Sequence, residues 1–290
     1  MSDARRKQQD EKPPLTPANL GPGTDLEIVD FGDDAGAGME GARSEELLTP
    51  FLGLIQALSP QVADPSGPVY NEAAKPGMFV NTMTGQLYDG HTGLDVVPVA
   101  RDYLYGEWVP RTQGGGFRGV VGPDDERVQR LIRQQGRFKP LDTGEGTELV
   151  EQFNLFALVA PPPLDETSAE QVVIAFTSTK IGVYKKLFTR IGSLKYPVNG
   201  RVVTPPIWAH RWRLTSVGQK NSQGQPFYNF QFELAAPTAR ESLIRQNEPL
   251  YATAKSFSEL VRSGQARANF QASAEGGTDT QRASSDEVPF

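Results

Sequence analysis

The chain has 290 residues, no cysteine, two histidines and a formal net charge of −6. That length allows one large domain or two small ones with tails. The missing thiols exclude a disulfide framework, a thiolate zinc site and a cysteine nucleophile, and fit a reducing compartment. Residues 1–12 are polar and charged rather than signal-like, and no apolar run approaches the length of a membrane span. The expectation is a soluble, cytoplasmic protein without a membrane partner.

Residues 1–42 are rich in Pro, Gly, Asp and Glu and read as a disordered acidic tail, with an apolar-acidic stretch at Asp25–Asp34. Ser44–Leu58 predicts a short helix. Thr49 and Pro50 suit its cap and first position, and Leu52, Ile55 and Leu58 recur at helical spacing. Met78–Tyr88 predicts a hairpin turning near Thr84-Gly85. Leu94–Val109 predicts a long strand or bent pair, in which Pro98 marks an edge or a bulge. Thr112–Gly122 is a glycine-rich loop. Asp124–Gln135 predicts a helix with Val128, Leu131 and Ile132 inward, and Gly136–Gly146 another loop.

Gln152–Ala160 and Gln171–Ser178 predict strands joined by a proline-rich loop. Lys180–Leu194 predicts an amphipathic helix with Ile181, Tyr184, Leu187, Phe188, Ile191 and Leu194 on one side. Arg201–Val217 and Pro226–Ala235 predict a long hairpin across the turn-rich Gly218–Gln225. Residues 238–262 read as mostly helical, broken at Pro249, and the chain from Ser263 as a flexible tail. The predicted class is mainly β with some α: an OB-like five-stranded Greek-key barrel with additional helices and disordered tails. Its limits are 1–42 (tail), 43–262 (barrel domain) and 263–290 (tail). Such barrels bind oligonucleotides on a strand face and on the loops after strands one and four. Another small barrel or sandwich gives the same element order.

Charge is unevenly distributed. No Asp or Glu occurs between Gln171 and Phe232, while Lys180, Lys185, Lys186, Arg190, Lys195, Arg201, Arg211, Arg213 and Lys220 do. A basic block in an acidic chain points to nucleic acid more strongly than the total charge argues against it. The block is also aromatic. Single strands offer phosphates to cations and unstacked base faces to rings, so interleaving the two suits sequence-tolerant binding. Trp208, His210, Trp212 and Leu214 alternate with Ala209, Arg211, Arg213 and Thr215, so one face would be aromatic and the other basic. Tyr196, Trp208, Trp212 and Tyr228 are the stacking candidates, with the Trp face as core being the alternative. In the glycine-rich loop, Arg111, Phe117 and Arg118 offer charge and stacking. Gly114, Gly116 and Gly119 match a dinucleotide fingerprint only formally, because no helix opens there.

The chain ends Asp286-Glu287-Val288-Pro289-Phe290. A terminal aromatic with its carboxylate, preceded by acids, suits docking into a partner's pocket beside a basic residue. This end resembles the acidic C-terminal tip of bacterial single-stranded-DNA-binding proteins, with fewer acids and Val where Ile or Leu is usual. The whole layout is similar to phage single-stranded-DNA-binding proteins, which join an OB-fold core to an acidic, Phe-terminated tail. The stretches around Leu58-Ser59-Pro60, Asn81-Thr82-Met83-Thr84-Gly85 and Trp108–Phe117 also resemble a recurring phage protein. The resemblance implies coating of single strands during replication or recombination in the infected host cell. It also implies recruitment of replication or recombination proteins by the tip.

Enzymatic readings rank lower. Only His91 and His210 offer imidazoles, and HExxH, P-loop and nucleophile-elbow motifs are absent. Asp30-Phe31-Gly32 copies a kinase tripeptide without the other kinase motifs. Asp124-Asp125-Glu126 reads as favourable charge at a helix start. We expect no catalytic residues, metal or cofactor. The alternatives are a phage structural or assembly protein and, below it, a metal-dependent nuclease. A homo-oligomer formed through an exposed strand edge is compatible with the binding and assembly readings.

Overall fold

The computed structural model describes residues 48–137, 139–221 and 224–270. In chain order the elements are β1 (Leu48–Thr49), β2 (Leu52–Leu54), α1 (Pro60–Ala63), β3 (Phe79–Asn81), β4 (Leu87–Tyr88), β5 (Leu94–Trp108), β6 (Phe117–Val121) and α2 (Glu126–Gln135). There follow β7 (Leu141–Asp142), β8 (Glu148–Ala160), β9 (Glu170–Phe176), α3 (Lys180–Ser193), β10 (Tyr196–Val198), β11 (Arg201–Val203), β12 (Trp212–Lys220), β13 (Pro226–Leu234), α4 (Pro249–Arg262) and β14 (Arg267–Ala268). The protein is mainly β. Its largest sheet has the order β13-β12-β5-β8-β7, with β6 also on β5 and β9 also on β8.

The long β5 and β8 dictate this arrangement. Both are buried in nearly unbroken runs while successive side chains point to opposite faces, so each carries a core face on either side. One face packs Val96, Leu155, Ala157 and Val159 against β12, β13 and α3. The other packs Val97, Val99, Phe156 and Leu158 against α4. The β5–β8 ladder slips between Pro98 and Ala100. Pro98 brings no N–H, and β12 covers only Leu94–Val96 on the other edge, so the bulge leaves no partner stranded. Farther along, β5 and β8 extend as an arm whose Tyr105 and Leu149 are covered by Val128 and Leu131 of α2. Asp125 caps α2 by accepting from Arg127 N–H at 2.8 Å.

The Trp108 indole lies across Gly106. A Cβ on residue 106 would meet its Nε1 at 2.6 Å. Gly106→Ala should therefore lower stability by about 1–3 kcal/mol in urea unfolding. An unchanged midpoint would show that the indole is not seated there.

The expected hairpin at Met78–Tyr88 is present as β3 and β4, with Gly85 at φ +71°. Four expectations need correction. Ser44–Leu58 does not form a helix where it is described: Leu52 and Leu54 are buried on β2, antiparallel to β3, and Leu58 is 63% exposed. Pairing with β3 overrides the weak helical spacing. Arg201–Val217 is not one strand. Asn199 and Gly200 turn β11 back on β10, Pro205-Pro206 ends the ribbon, and a 3-10 turn at Ile207–Ala209 precedes β12. In 238–262 only α4, starting at Pro249, is helical. Packed chain also continues past Ser263, because β14 pairs with β1 and Phe270 contacts Phe51. The N-terminal tail of 1–42 and the acidic tip lie outside the described residues.

The described sheets do not close into a barrel. Residues 50–56 run between β9 and β13. Phe51 bridges Val173 in parallel, and the Gln56 amide clasps Tyr228, donating to its C=O at 3.0 Å and accepting from its N–H at 2.8 Å.

Candidate nucleic-acid interface

Helix α3 buries Tyr184, Leu187 and Ile191 and turns Lys185, Lys186 and Arg190 outward. The Arg190 guanidinium rests 5.5 Å from the Trp212 ring centre. Lys195, Arg201 and Lys220 are also exposed, and Lys195 Nζ donates to Thr204 Oγ1 at 2.5 Å. Three predicted phosphate ligands do not belong with them. Lys180 is buried, with its ammonium 5.1 Å from the Phe230 ring centre. Arg211 pairs with Glu248 at 2.7 Å and Arg213 with Asp95 at 2.8 Å. A stretch without acids in sequence is not without acids in space. Both partners come from outside the block and offset its charge.

The four predicted stacking rings are engaged elsewhere. Trp212 is fully buried in the core. Trp208 is half-buried, edge-on to Tyr251 at 6.3 Å. Tyr228 lies against Gly77, where a Cβ would meet its ring at 2.7 Å. The Tyr196 hydroxyl bonds His210 Nε2 at 2.8 Å. Phe117 is held between Trp108 and Phe270 at 5.0 Å from each, while Arg118 is exposed. The Arg111 side chain, and Asp286, Glu287, Val288, Pro289 and Phe290, lie outside the described residues.

A different set of rings stands beside α3. Tyr103 of β5 and Phe153 of β8 are cross-strand partners with centroids 4.5 Å apart and planes 17° apart. Phe153 continues to Tyr184 at 4.7 Å and Tyr184 to Phe188 at 4.3 Å. Arg101 lies 5.9 Å over the Phe188 ring. Tyr103, Phe153 and Phe188 are half-buried. Tyr103 packs on the α2 cluster and Phe153 on the α3 cluster, so the row fills the seam between the two helices.

Glu151 is buried beside this row. Its Oε1 accepts from Tyr103 Oη and from Arg137 Nη2, both at 2.8 Å. Burial first, then Tyr105 and Glu151, push the Tyr103 phenol well above its ordinary range, so it stays a neutral donor. Sequence reading missed Arg101, Tyr103, Arg137 and Phe153 because they lie outside the basic block; Tyr103 meets Phe153 and Arg101 meets β8 through the β5–β8 register, and Arg137 reaches in from the chain after α2. The alternating Tyr103-Leu104-Tyr105 was the available signal. Among the described residues no cluster of His, Asp and Glu is arranged to hold a metal, and no helix is long and apolar enough to cross a membrane.

Burial holds the His210 imidazole below its ordinary pKa. A depressed histidine contributes stability that is complete above the unfolded value of about 6.5 and is lost as pH falls through it. The melting temperature should therefore drop between about pH 7 and pH 5.5, and His210→Gln should flatten that drop. An equal drop in the variant would place the titration elsewhere.

A family model described as Pam3 phage gp34-like protein matches residues 21–267. The chain belongs to this phage protein family. No curated protein and no solved structure matches it. The span shared with the gp34-like family includes α3 and the whole ring row. It stops before Phe270 and the Asp286–Phe290 tip.

Proposed function

We propose that this gp34-like protein binds single-stranded DNA with little sequence preference during phage replication or recombination. The observation that carries the reading is the outward cations of α3 beside the half-buried row Tyr103, Phe153 and Phe188. Lys185, Lys186 and Arg190 suit phosphates, and the exposed parts of the half-buried rings suit unstacked bases. Arg137 offsets the charge of Glu151 within the seam, and Arg101 adds a cation at its edge.

Strand connectivity supports the same reading. The pairs β5–β8, β8–β9, β5–β12 and β12–β13, with α3 between β9 and β12, follow the order of an OB barrel. Where such a barrel would join β9 to β13, this chain inserts residues 50–56. The proposal assigns no reaction and no cofactor. Its setting is the cytoplasm of the infected host, and the terminal tip would recruit replication or recombination proteins.

The test is fluorescence anisotropy with a labelled poly-pyrimidine strand and its matched duplex, at about 50 and about 200 mM salt. Preference for the single strand that weakens with salt supports the proposal. Absence of binding to either, with the fold intact, overturns it. Anisotropy is preferable to intrinsic fluorescence because Trp108 and Trp212 are fully buried. Removing residues 286–290 should leave the affinity unchanged or raised, and a large loss would contradict a partner-docking role.

One observation favours an assembly role instead. The β10–β11 ribbon exposes Val198, Val202 and Val203 by 48%, 73% and 37%, and it pairs with no other described strand. Such a ribbon suits contact with another protein subunit, including a second copy.

A further inference from the structure

Among the described residues, three buried polar groups on one face of the β5–β8 arm have no partner: Gln152 Oε1, Asn154 Nδ2 and Trp108 Nε1. Gln152 and Asn154 are 0% exposed, and their one mutual bond, Gln152 Nε2 to Asn154 Oδ1, is 2.7 Å long. Exchanging O and N in both amides would only change which two atoms go unmet. Buried donors and acceptors normally find partners, and leaving them unmet is costly.

The register places these groups together. Gln152 is opposite Leu104 and Asn154 opposite Asp102, so both share a face with Phe156, opposite Ala100. Trp108 lies on that same face of β5, four residues beyond Leu104, and Phe117 of β6 is its partner. This is also the face on which Phe51 and Phe270 pack. Phe270 stacks on Phe117 at 5.0 Å and 8°, and meets Phe51 edge-on at 5.2 Å.

The segment bearing Phe270 joins the rest of the fold through a short strand ladder. Its root is tied to the end of α4, where Gln265 and Ala266 N–H donate to Leu260 C=O at 2.9 and 3.1 Å and Ala266 is buried; beyond that its strand pairing is two parallel pairs, Leu48 with Arg267 and Thr49 with Ala268, and Asn269 N–H donates to Thr49 C=O at 3.0 Å. A ladder this short adds little by itself.

We infer that residues 264–270 are a displaceable strap over a second base-binding face, formed by Trp108, Phe117, Gln152 and Asn154. Once the strap lifts, the two rings offer stacking surfaces and the two carboxamides offer donors and acceptors to base edges. Arg118 stands exposed on the same β6 strand for a phosphate. A splayed base would satisfy atoms that the closed strap leaves unmet, whereas a duplex presents no free base face to the rings. The inference rests on the single-strand reading above and adds a second contact region with its own regulation.

The absence of cysteine permits a clean lock. Leu48→Cys with Arg267→Cys places two thiols on paired, exposed positions, and one preparation can be compared oxidised and reduced. Affinity for the poly-pyrimidine strand should fall about tenfold on oxidation and return on reduction, and amide exchange over 104–108 and 150–154 should slow with the lock closed. Phe270→Ala, which needs no disulfide, should raise affinity a few-fold. Binding that is equal with the lock open and closed overturns the second face and leaves the α3 reading standing. If the reduced protein binds no single strand, both ligand assignments fall. Exchange that ignores the lock overturns the strap itself, whether or not DNA binds.

Discussion

Replacing Lys185, Lys186 and Arg190 together by glutamine should lower affinity for a poly-pyrimidine single strand on the order of a hundredfold at about 50 mM salt. On a single strand each neutralised phosphate releases about 0.7 of a counterion, so three lost contacts reduce the salt slope by about 2. The effect should therefore shrink as salt rises, which distinguishes lost ion contacts from lost packing. Arg190 also covers the Trp212 ring, a contact worth about 0.5–1 kcal/mol at an exposed site, so a small fall in melting temperature is expected. An unchanged salt slope would remove α3 from the interface. Arg213→Gln is the contrast. Its guanidinium already serves buried Asp95, so the change should cost stability and leave the salt slope alone.

That contrast shows where sequence reading reached its limit. Periodicity is local, and it located α2, α3, the β3–β4 hairpin and the long β12–β13 hairpin. Pro98 was legible as an edge or a bulge because a missing N–H has the same consequence in any sheet, and the structure makes it a bulge. Ion pairing is not local. Asp95 lies 118 positions from Arg213 and Glu248 lies 37 from Arg211, so the charge of the acid-free block could not be read from the block alone. Trp208 and Trp212 looked like neighbours on one strand face. The 3-10 turn at Ile207–Ala209 lies between them and sends one ring to α4 and the other into the core. The row Tyr103–Phe153 exists only through pairing of strands fifty residues apart.

The seam and the α3 cations share one cause. α3 must cover the β8–β9 face with Tyr184, Leu187 and Ile191, which leaves its opposite side to Lys185, Lys186 and Arg190. α2 covers the arm with Val128 and Leu131. The two helices come from different insertions between strands; the α2 cluster meets Tyr103 and α3 meets Phe153, and neither ring is fully buried. Rings too large to be fully buried in the remaining space stay half open beside a cationic helix. Packing that stabilises the sheet thus also supplies the surface proposed to bind the strand.

Trp212→Ala should lower stability by about 3–5 kcal/mol, the cost of emptying a fully buried indole site. Many domains have only about 5–15 kcal/mol in total, so this variant should melt far below the parent. Trp212 pairs with Val96 on one side and Leu234 on the other and belongs to the same cluster as Leu187 and Phe230, so little can relax into the space. Among the described residues its Nε1 has no partner. Trp212→Phe therefore forfeits no hydrogen bond, keeps a ring beneath Arg190, and should cost far less. Affinity for the single strand should be unchanged in Trp212→Phe at temperatures where it is folded. A ring that stacked on bases would give the reverse pattern, with a stable alanine variant weakened by about 1–3 kcal/mol for each base released. Melting curves and anisotropy on the two variants separate these roles, and a stable Trp212→Ala with weak DNA binding would return Trp212 to the interface.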